Sequence, residues 1–252
     1  MQLKVIPLLI HLFISLLLIG CKPVHHVSQE IHPAVKISAQ LSTGEDAQVE
    51  ALIDPYRAPL LARMNEVIAA TDSSAVKALP ESSLGNLVCD LLLQYGNENG
   101  YVADCCFLNS GGLRVELPKG EVTRSMLYEL MPFENTIVVV RLKGDQLLMI
   151  LNQIAARGGG PVSGINMGIK GGEAFQPVIN NKPLDNNKIY SVLSSDYLVA
   201  GGDKYIIPQP LETIQTSVLL RDALISKFQD FNKINTLIKP RTDGRLYIVD
   251  TP

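Results

Sequence analysis

With 252 residues, 46% of them apolar, and a formal net charge of −3, the chain is long enough to bury a sizeable core. It lacks the basic surplus that binding to a phosphate backbone demands, so DNA and RNA are not expected partners. Its four histidines, His11, His25, His26 and His32, all fall within the first 32 residues, which excludes imidazole-activated nucleophiles and histidine-rich metal centres from the body.

Taken in chain order, "MQLKVIPLLIHLFISLLLIGCKP" sets Lys4 ahead of an apolar run that ends in small residues, the layout of a secretory signal over residues 1–20. Its ending, Leu18, Ile19, Gly20 and Cys21, resembles a bacterial lipobox, in which cleavage leaves the Cys21 thiol to be acylated. Lipid at Cys21 implies an extracytoplasmic protein, in the periplasm or on the cell surface, held to a membrane. Residues 21–44 read as a tether, and His25 and His26 as part of it. Residues 45–252 then form one domain, since no repeat or charge block divides them.

"DAQVEALIDPYRAPLLARMNEVIAAT" has helical spacing interrupted by Pro55 and Pro59, so a helix is expected to begin or kink there and to pack on the rest. "ESSLGNLVCDLLLQYG" places Leu84, Leu87, Val88, Leu91 and Leu92 on one face, with Ser82 or Ser83 as the N-cap and Gly96 as the stop. Leu84, Gly85 and Asn86 serve the geometry of its start. "ADCCFLN" predicts a strand, "TRSMLYELMPF" a short helix capped by Thr123 and ended by Pro132, "TIVVVRLKG" a buried strand and "DQLLMILNQIAAR" a helix. The glycine-rich "GGGPVSGINMGIKGGEAF" lacks a dinucleotide fingerprint and reads as turns between strands. "QPVINNKPL" predicts a hairpin about Asn180 and Asn181, "KIYSVLSSDYL" a strand, "SVLLRDALISKFQDFN" a helix capped by Thr216, and "GRLYIVD" a last strand.

Apart from Cys21, the cysteines are Cys89, Cys105 and Cys106. Neighbours on a strand point to opposite faces, so Cys105 and Cys106 read as small buried apolar residues rather than a bridge.

Two glycine turns come off strand ends, "NSGGLR" and "SDYLVAGGDKY", and "MPFEN" adds an aromatic ring beside a proline. The series "LGNLVCD", "NSGGLR", "MPFEN", "VSG", "PLDNNKIYSV" and "DYLVAGGDKY", in this order between Glu45 and Val249, resembles the C-terminal, nucleotide-recognising domain of the 5'-nucleotidase / UDP-sugar hydrolase family. The resemblance implies an α+β fold with layered α/β/β/α architecture. It also implies a nucleotide or nucleoside ligand, with Asn109 on base or ribose, Arg114 toward phosphate, the base between Phe133 and Tyr197, and the ribose hydroxyls on Asp203. The chemistry agrees: stacking on a base is worth about 1–3 kcal/mol and tolerates different bases, and a guanidinium fork matches phosphate oxygens. Gly111 and Gly112 are expected to bring bare backbone close to the ligand and turn Arg114 into the pocket.

Three departures accompany the resemblance. Ala78, beside Lys77, stands where the family has an arginine for phosphate; Lys204 stands where it has a glycine, a position a lysine adopts less easily; and Tyr197 replaces a common phenylalanine. The family's metal-binding motifs are also missing from these 252 residues. The resemblance therefore implies no catalytic or metal-ligating residue and no cofactor in this chain, and divalent metals on a separate metallophosphoesterase partner that hydrolyses the nucleotide. The alternatives are a non-catalytic nucleoside-binding or nucleotide-binding lipoprotein and a degenerate domain kept as a scaffold.

Overall fold

A computed structural model describes residues 46–250; the readings of the signal, Cys21 and the tether lie outside the described residues. The unit from Glu50 onward is compact and carries the sheets and the candidate site.

The first helix, α1 (Ala47–Met64), runs through Pro55 and Pro59 without a break and buries none of its residues. The expected start at a proline and the expected packing on the rest are both corrected. The two prolines lie four apart and so remove hydrogen bonds on one side of the helix only, while Arg57 bridges Glu50 and Asp54 at 2.7 Å each. "VIAAT" is not the end of this helix but β1 (Val67–Thr71), which pairs antiparallel with β3 (Gly120–Thr123).

The expected apolar face of α2 (Ser83–Glu98) is buried throughout, and the Ser82 hydroxyl accepts from the Gly85 amide at 2.9 Å. Gly96 does not stop the helix. A Cβ there would stand 2.7 Å from Leu193 Cδ1, so glycine serves close packing on a strand.

A five-stranded sheet in the order β10-β4-β9-β2-β5 forms the centre, built from β2 (Cys105–Phe107), β4 (Thr136–Lys143), β5 (Val162–Ser163), β9 (Ile189–Ser195) and β10 (Glu212–Leu219). Its alternation sorts side chains into two cores. Cys106, Ile137, Val139 and Leu193 face α2, α3 (Arg124–Leu130) and α6 (Leu220–Lys233). Cys105, Phe107, Val138, Val140 and Val192 face α4 (Gly144–Ala156) and a second sheet. That sheet has the order β11-β6-β7-β8, from β6 (Ile165–Lys170), β7 (Glu173–Ile179), β8 (Lys182–Pro183) and β11 (Leu246–Ile248). The class is α+β, with helices and sheets in layers. The expected split of the adjacent cysteines is observed, and burial raises the thiol pKa of both. The turn between β7 and β8 holds Asn180 and Asn181 left-handed, at φ 49° and 62°, as the hairpin required.

Strand β10 is absent from the sequence reading. Its residues are mostly exposed, so "ETIQTSVL" shows no buried run. The predicted final helix accordingly starts late, at Leu220, and Thr216 is not its cap. The Thr216 hydroxyl donates to the Ile137 carbonyl at 2.8 Å within the sheet.

Arg245 closes the chain onto α2, paired with both oxygens of Asp90 at 2.7 and 3.0 Å and with Asp243 at 2.7 and 2.9 Å. Hydrogen bonds from Arg245 hold the Asp243 carboxyl down at about 2. The folded value lies below the unfolded one, so this stabilisation is present above about pH 4 and lost as pH falls through about 2. Melting temperature should therefore drop over that interval at low salt, and Asp243→Asn should flatten that part of the profile in a thermal-denaturation series.

Candidate functional site

Strand register brings the motif loops together. β2 runs parallel to β9, with Cys106 opposite Leu193, and β4 runs antiparallel, with Ile137 opposite Ser195. The segment after β2, the segment before β4 and the segment after β9 therefore leave three adjacent strands at one end of the sheet. After β2 the chain makes a 3₁₀ turn at Ser110–Gly112. After β9 it makes the short helix α5 (Asp196–Val199), capped by the Ser195 hydroxyl, and a turn at Gly202–Lys204.

Asn109, Gly111, Gly112, Arg114, Phe133, Tyr197 and Asp203, the seven residues singled out from sequence, line one cleft of about 270 Å³, joined there by Asn135. Phe133 and Tyr197 keep 45% and 42% of their surface exposed, so neither ring is a core residue. Both oxygens of Asp203 are engaged: Oδ2 accepts from Asn109 Nδ2 at 2.6 Å and Oδ1 from the Tyr197 hydroxyl at 2.7 Å. The same hydroxyl accepts from the Asp203 amide at 3.1 Å. Each carboxylate oxygen retains a free lone pair for a ligand hydroxyl.

The glycines act differently from one another. A Cβ at Gly112 would stand 2.9 Å from Asn109 Oδ1, so this glycine makes room for the Asn109 amide. Gly111 has only ordinary contacts around a would-be Cβ, and its carbonyl accepts from Arg114 Nη1 at 3.3 Å. That is the one hydrogen bond of the Arg114 guanidinium among the described residues, which leaves most of its donors for an anion. Gly202 lies flat against the Tyr197 ring, where a Cβ would stand 2.5 Å from two ring carbons.

Sequence reasoning missed two supports. Arg157 donates to the carbonyls of Asp203 and Lys204 at 3.1 and 3.3 Å, and its guanidinium lies 4.0 Å from the centre of the Tyr205 ring. It thereby fixes the turn that presents Asp203. Asn135, the last residue of "MPFEN", carries no local signal of a role, and only its place ahead of β4 shows that it borders the cleft.

The family model of the 5'-nucleotidase C-terminal domain matches residues 62–209. The chain belongs to this family. Among solved structures, the 5'-nucleotidase precursor from Thermus thermophilus is 26% identical with a TM-score of 0.68, over 81% of this chain and 43% of its own. A Vibrio vulnificus 5'-nucleotidase is 27% identical over 174 residues, 64% of this chain and 30% of its own length. The trifunctional nucleotide phosphoesterase protein YfkN of Bacillus subtilis is 24% identical over 83% of this chain and 16% of its own length. The chain thus spans less than half the length of these relatives.

As a 5'-nucleotidase C-terminal domain it carries its departures in distinct ways. Lys77 donates from Nζ to the Leu113 carbonyl at 2.7 Å, so it braces the loop ahead of Arg114, and neither it nor Ala78 lines the cleft. Lys204 adopts the left-handed conformation all the same, at φ 59°, next to Asp203 at φ 50°. The side chain is strained there, and Arg157 holds the turn against it. Lys204→Gly should raise stability by about 1 kcal/mol and the β-branched Lys204→Val should lower it, measured by urea denaturation.

Proposed function

We propose that the domain binds a nucleotide or nucleoside with its base between Phe133 and Tyr197, its ribose hydroxyls on Asp203 and Asn109, and its phosphate toward Arg114. The observation that carries this reading is the pair of half-exposed aromatic rings on one cleft with a carboxylate already held in position by two donors. Aromatic faces take up a planar base regardless of its edge pattern, which favours broad base preference. A carboxylate that accepts vicinal hydroxyls separates ribose from a bare base, and the underused guanidinium of Arg114 supplies the charge an anion needs.

The domain is then the nucleotide-recognising half of a split 5'-nucleotidase, acting in nucleotide catabolism. Hydrolysis of the phosphoric monoester belongs to a separate metallophosphoesterase chain that brings the divalent metals and the attacking water. The donor set supports this assignment, because residues 33–252 contain no histidine and no three His, Cys, Asp or Glu side chains gather among the described residues. Work on exported nucleotides fits an extracytoplasmic site with lipid on Cys21, and no helix among the described residues is long and apolar enough to cross a membrane.

Calorimetry with AMP, adenosine and UMP tests the binding half. Phe133→Ala and Tyr197→Ala should each weaken all three ligands by about 1–3 kcal/mol, and Arg114→Ala should weaken AMP more than adenosine. Absence of saturable binding to any of the three would remove the reading.

The catalytic division is checked separately. The purified chain with manganese or zinc should leave AMP intact, and mixing with a metallophosphoesterase chain should start turnover. Sustained hydrolysis by the chain alone would contradict the split, and tight binding that no such chain converts to turnover would favour the binding lipoprotein.

A further inference from the structure

We infer that Arg221, which does not line the cleft, positions its Phe133 wall and so sets how tightly a base is held; this rests on the nucleotide-binding reading. The register of β10 on β4 sets Leu219 opposite Thr136, which lays the first turn of α6 against residues 131–135. Three alternate carbonyls of that segment are engaged from this one turn. The Leu220 amide donates to Asn135 at 2.9 Å. Arg221 Nη1 donates to Met131 at 3.1 Å and, more weakly, to Phe133 at 3.4 Å.

Core packing does not account for an arginine here. Arg221 is 6% exposed, its Nε is buried without a hydrogen-bond partner, and no carboxylate pairs with it among the described residues. Its charge is met by the two carbonyls and by the Tyr128 ring, whose centre lies 4.2 Å from the guanidinium carbon. A buried guanidinium without an anion is costly, and an apolar side chain of similar length would fill the space without that cost.

What only the guanidinium supplies is donors to Met131 and Phe133. Phe133 needs them, because its half-exposed ring gains little direction from packing and follows its backbone. Pro132, between the two carbonyls, has no amide with which to anchor the segment itself. Arg221 is therefore a positioning residue for one wall, as Arg157 is for the turn beside the other.

The test is a pair of mutant cycles on the full chain, with AMP dissociation constants from calorimetry and amide hydrogen exchange on the ligand-free protein. Arg221→Met should weaken AMP about tenfold alone and in a Tyr197→Ala background, but less than about twofold once Phe133→Ala has removed the ring, the non-additivity of a coupled pair. Arg221→Lys, which restores a donor, should recover part of the affinity. Exchange should rise in Met131–Asn135 and stay unchanged in Asp196–Lys204. Losses that multiply equally with both aromatic variants, or an Arg221→Met protein that binds and exchanges like wild type, would overturn the proposal.

If Arg221→Met does not fold, the same cycles run with Arg221→Lys, for which a smaller loss with the same coupling is expected. Failure of both to fold would assign Arg221 to the core and overturn its positioning role. The two readings can fail apart. A wild-type chain that binds no nucleotide sinks the nucleotide reading, while exchange localised to Met131–Asn135 still reports what Arg221 holds.

Discussion

The register of β2 and β4 against β9 is the constraint from which the site follows. It places three loop exits side by side, and it decides which core each side chain enters. A slip by one residue would exchange the cores of Cys105 and Cys106, of Val138 and Val139, and would move Tyr197 relative to Phe133. Polarity alone does not fix it, because "IVVV" in β4 is buried on both faces. For β2 the ties that do are polar and lie on β9: the buried Ser194 hydroxyl donates to the Phe107 carbonyl at 3.0 Å, and the Ser191 amide donates to Asp104 at 2.8 Å. Each is satisfied in one register only, and a buried hydroxyl left without its acceptor costs about 1–3 kcal/mol.

What was legible in the sequence divides along the same line. Local signals were readable: the apolar stripe and Ser82 cap of α2, the two asparagines of the β7–β8 hairpin, the opposed faces of the adjacent cysteines. The motif loops were readable as well, because glycines and aromatics off strand ends leave a mark in sequence order, and all seven candidate residues share one cleft. Features that depend on distant partners were not readable. β10 is an edge strand with little burial, and only its pairing to β4 makes it a strand. The apolar residues of α1 gave a helical pattern and hence an expectation of packing, yet Leu52, Tyr56 and Leu60 have no cover among the described residues. Arg157 and Arg221 reach carbonyls far along the chain, and nothing local announces that.

The arginines also show how the site reserves its charge. Arg245 commits its donors to Asp90, Asp243 and the Val162 carbonyl, Arg157 to three carbonyls, and Arg221 to two. Arg114 alone on the cleft has a single long bond, to Gly111. A guanidinium already committed to main chain or carboxylate is a poor anion receptor, because binding would have to break what it holds. By that measure Arg114, among these four, is the one with donors left over, and the others are committed to the fold.

The tyrosine at 197 fits the same division. Phenylalanine would stack on a base equally well, so the hydroxyl matters through Asp203, to which it donates and from whose amide it accepts. With Asn109 on the other oxygen, the carboxylate has its orientation before any ligand arrives. Ordering a side chain costs about 0.5–1.5 kcal/mol when it happens on binding, and here folding has already met that cost. The strain at Asp203 and Lys204 belongs to the same arrangement. A left-handed turn aims the carboxylate at the Tyr197 hydroxyl, Gly202 lets the ring lie flat beneath it, and Arg157 holds the carbonyls that would otherwise relax. The cleft is thus rigid around the Asp203 carboxylate and open at its two aromatic rings, the combination that the proposed ribose discrimination and base tolerance would require.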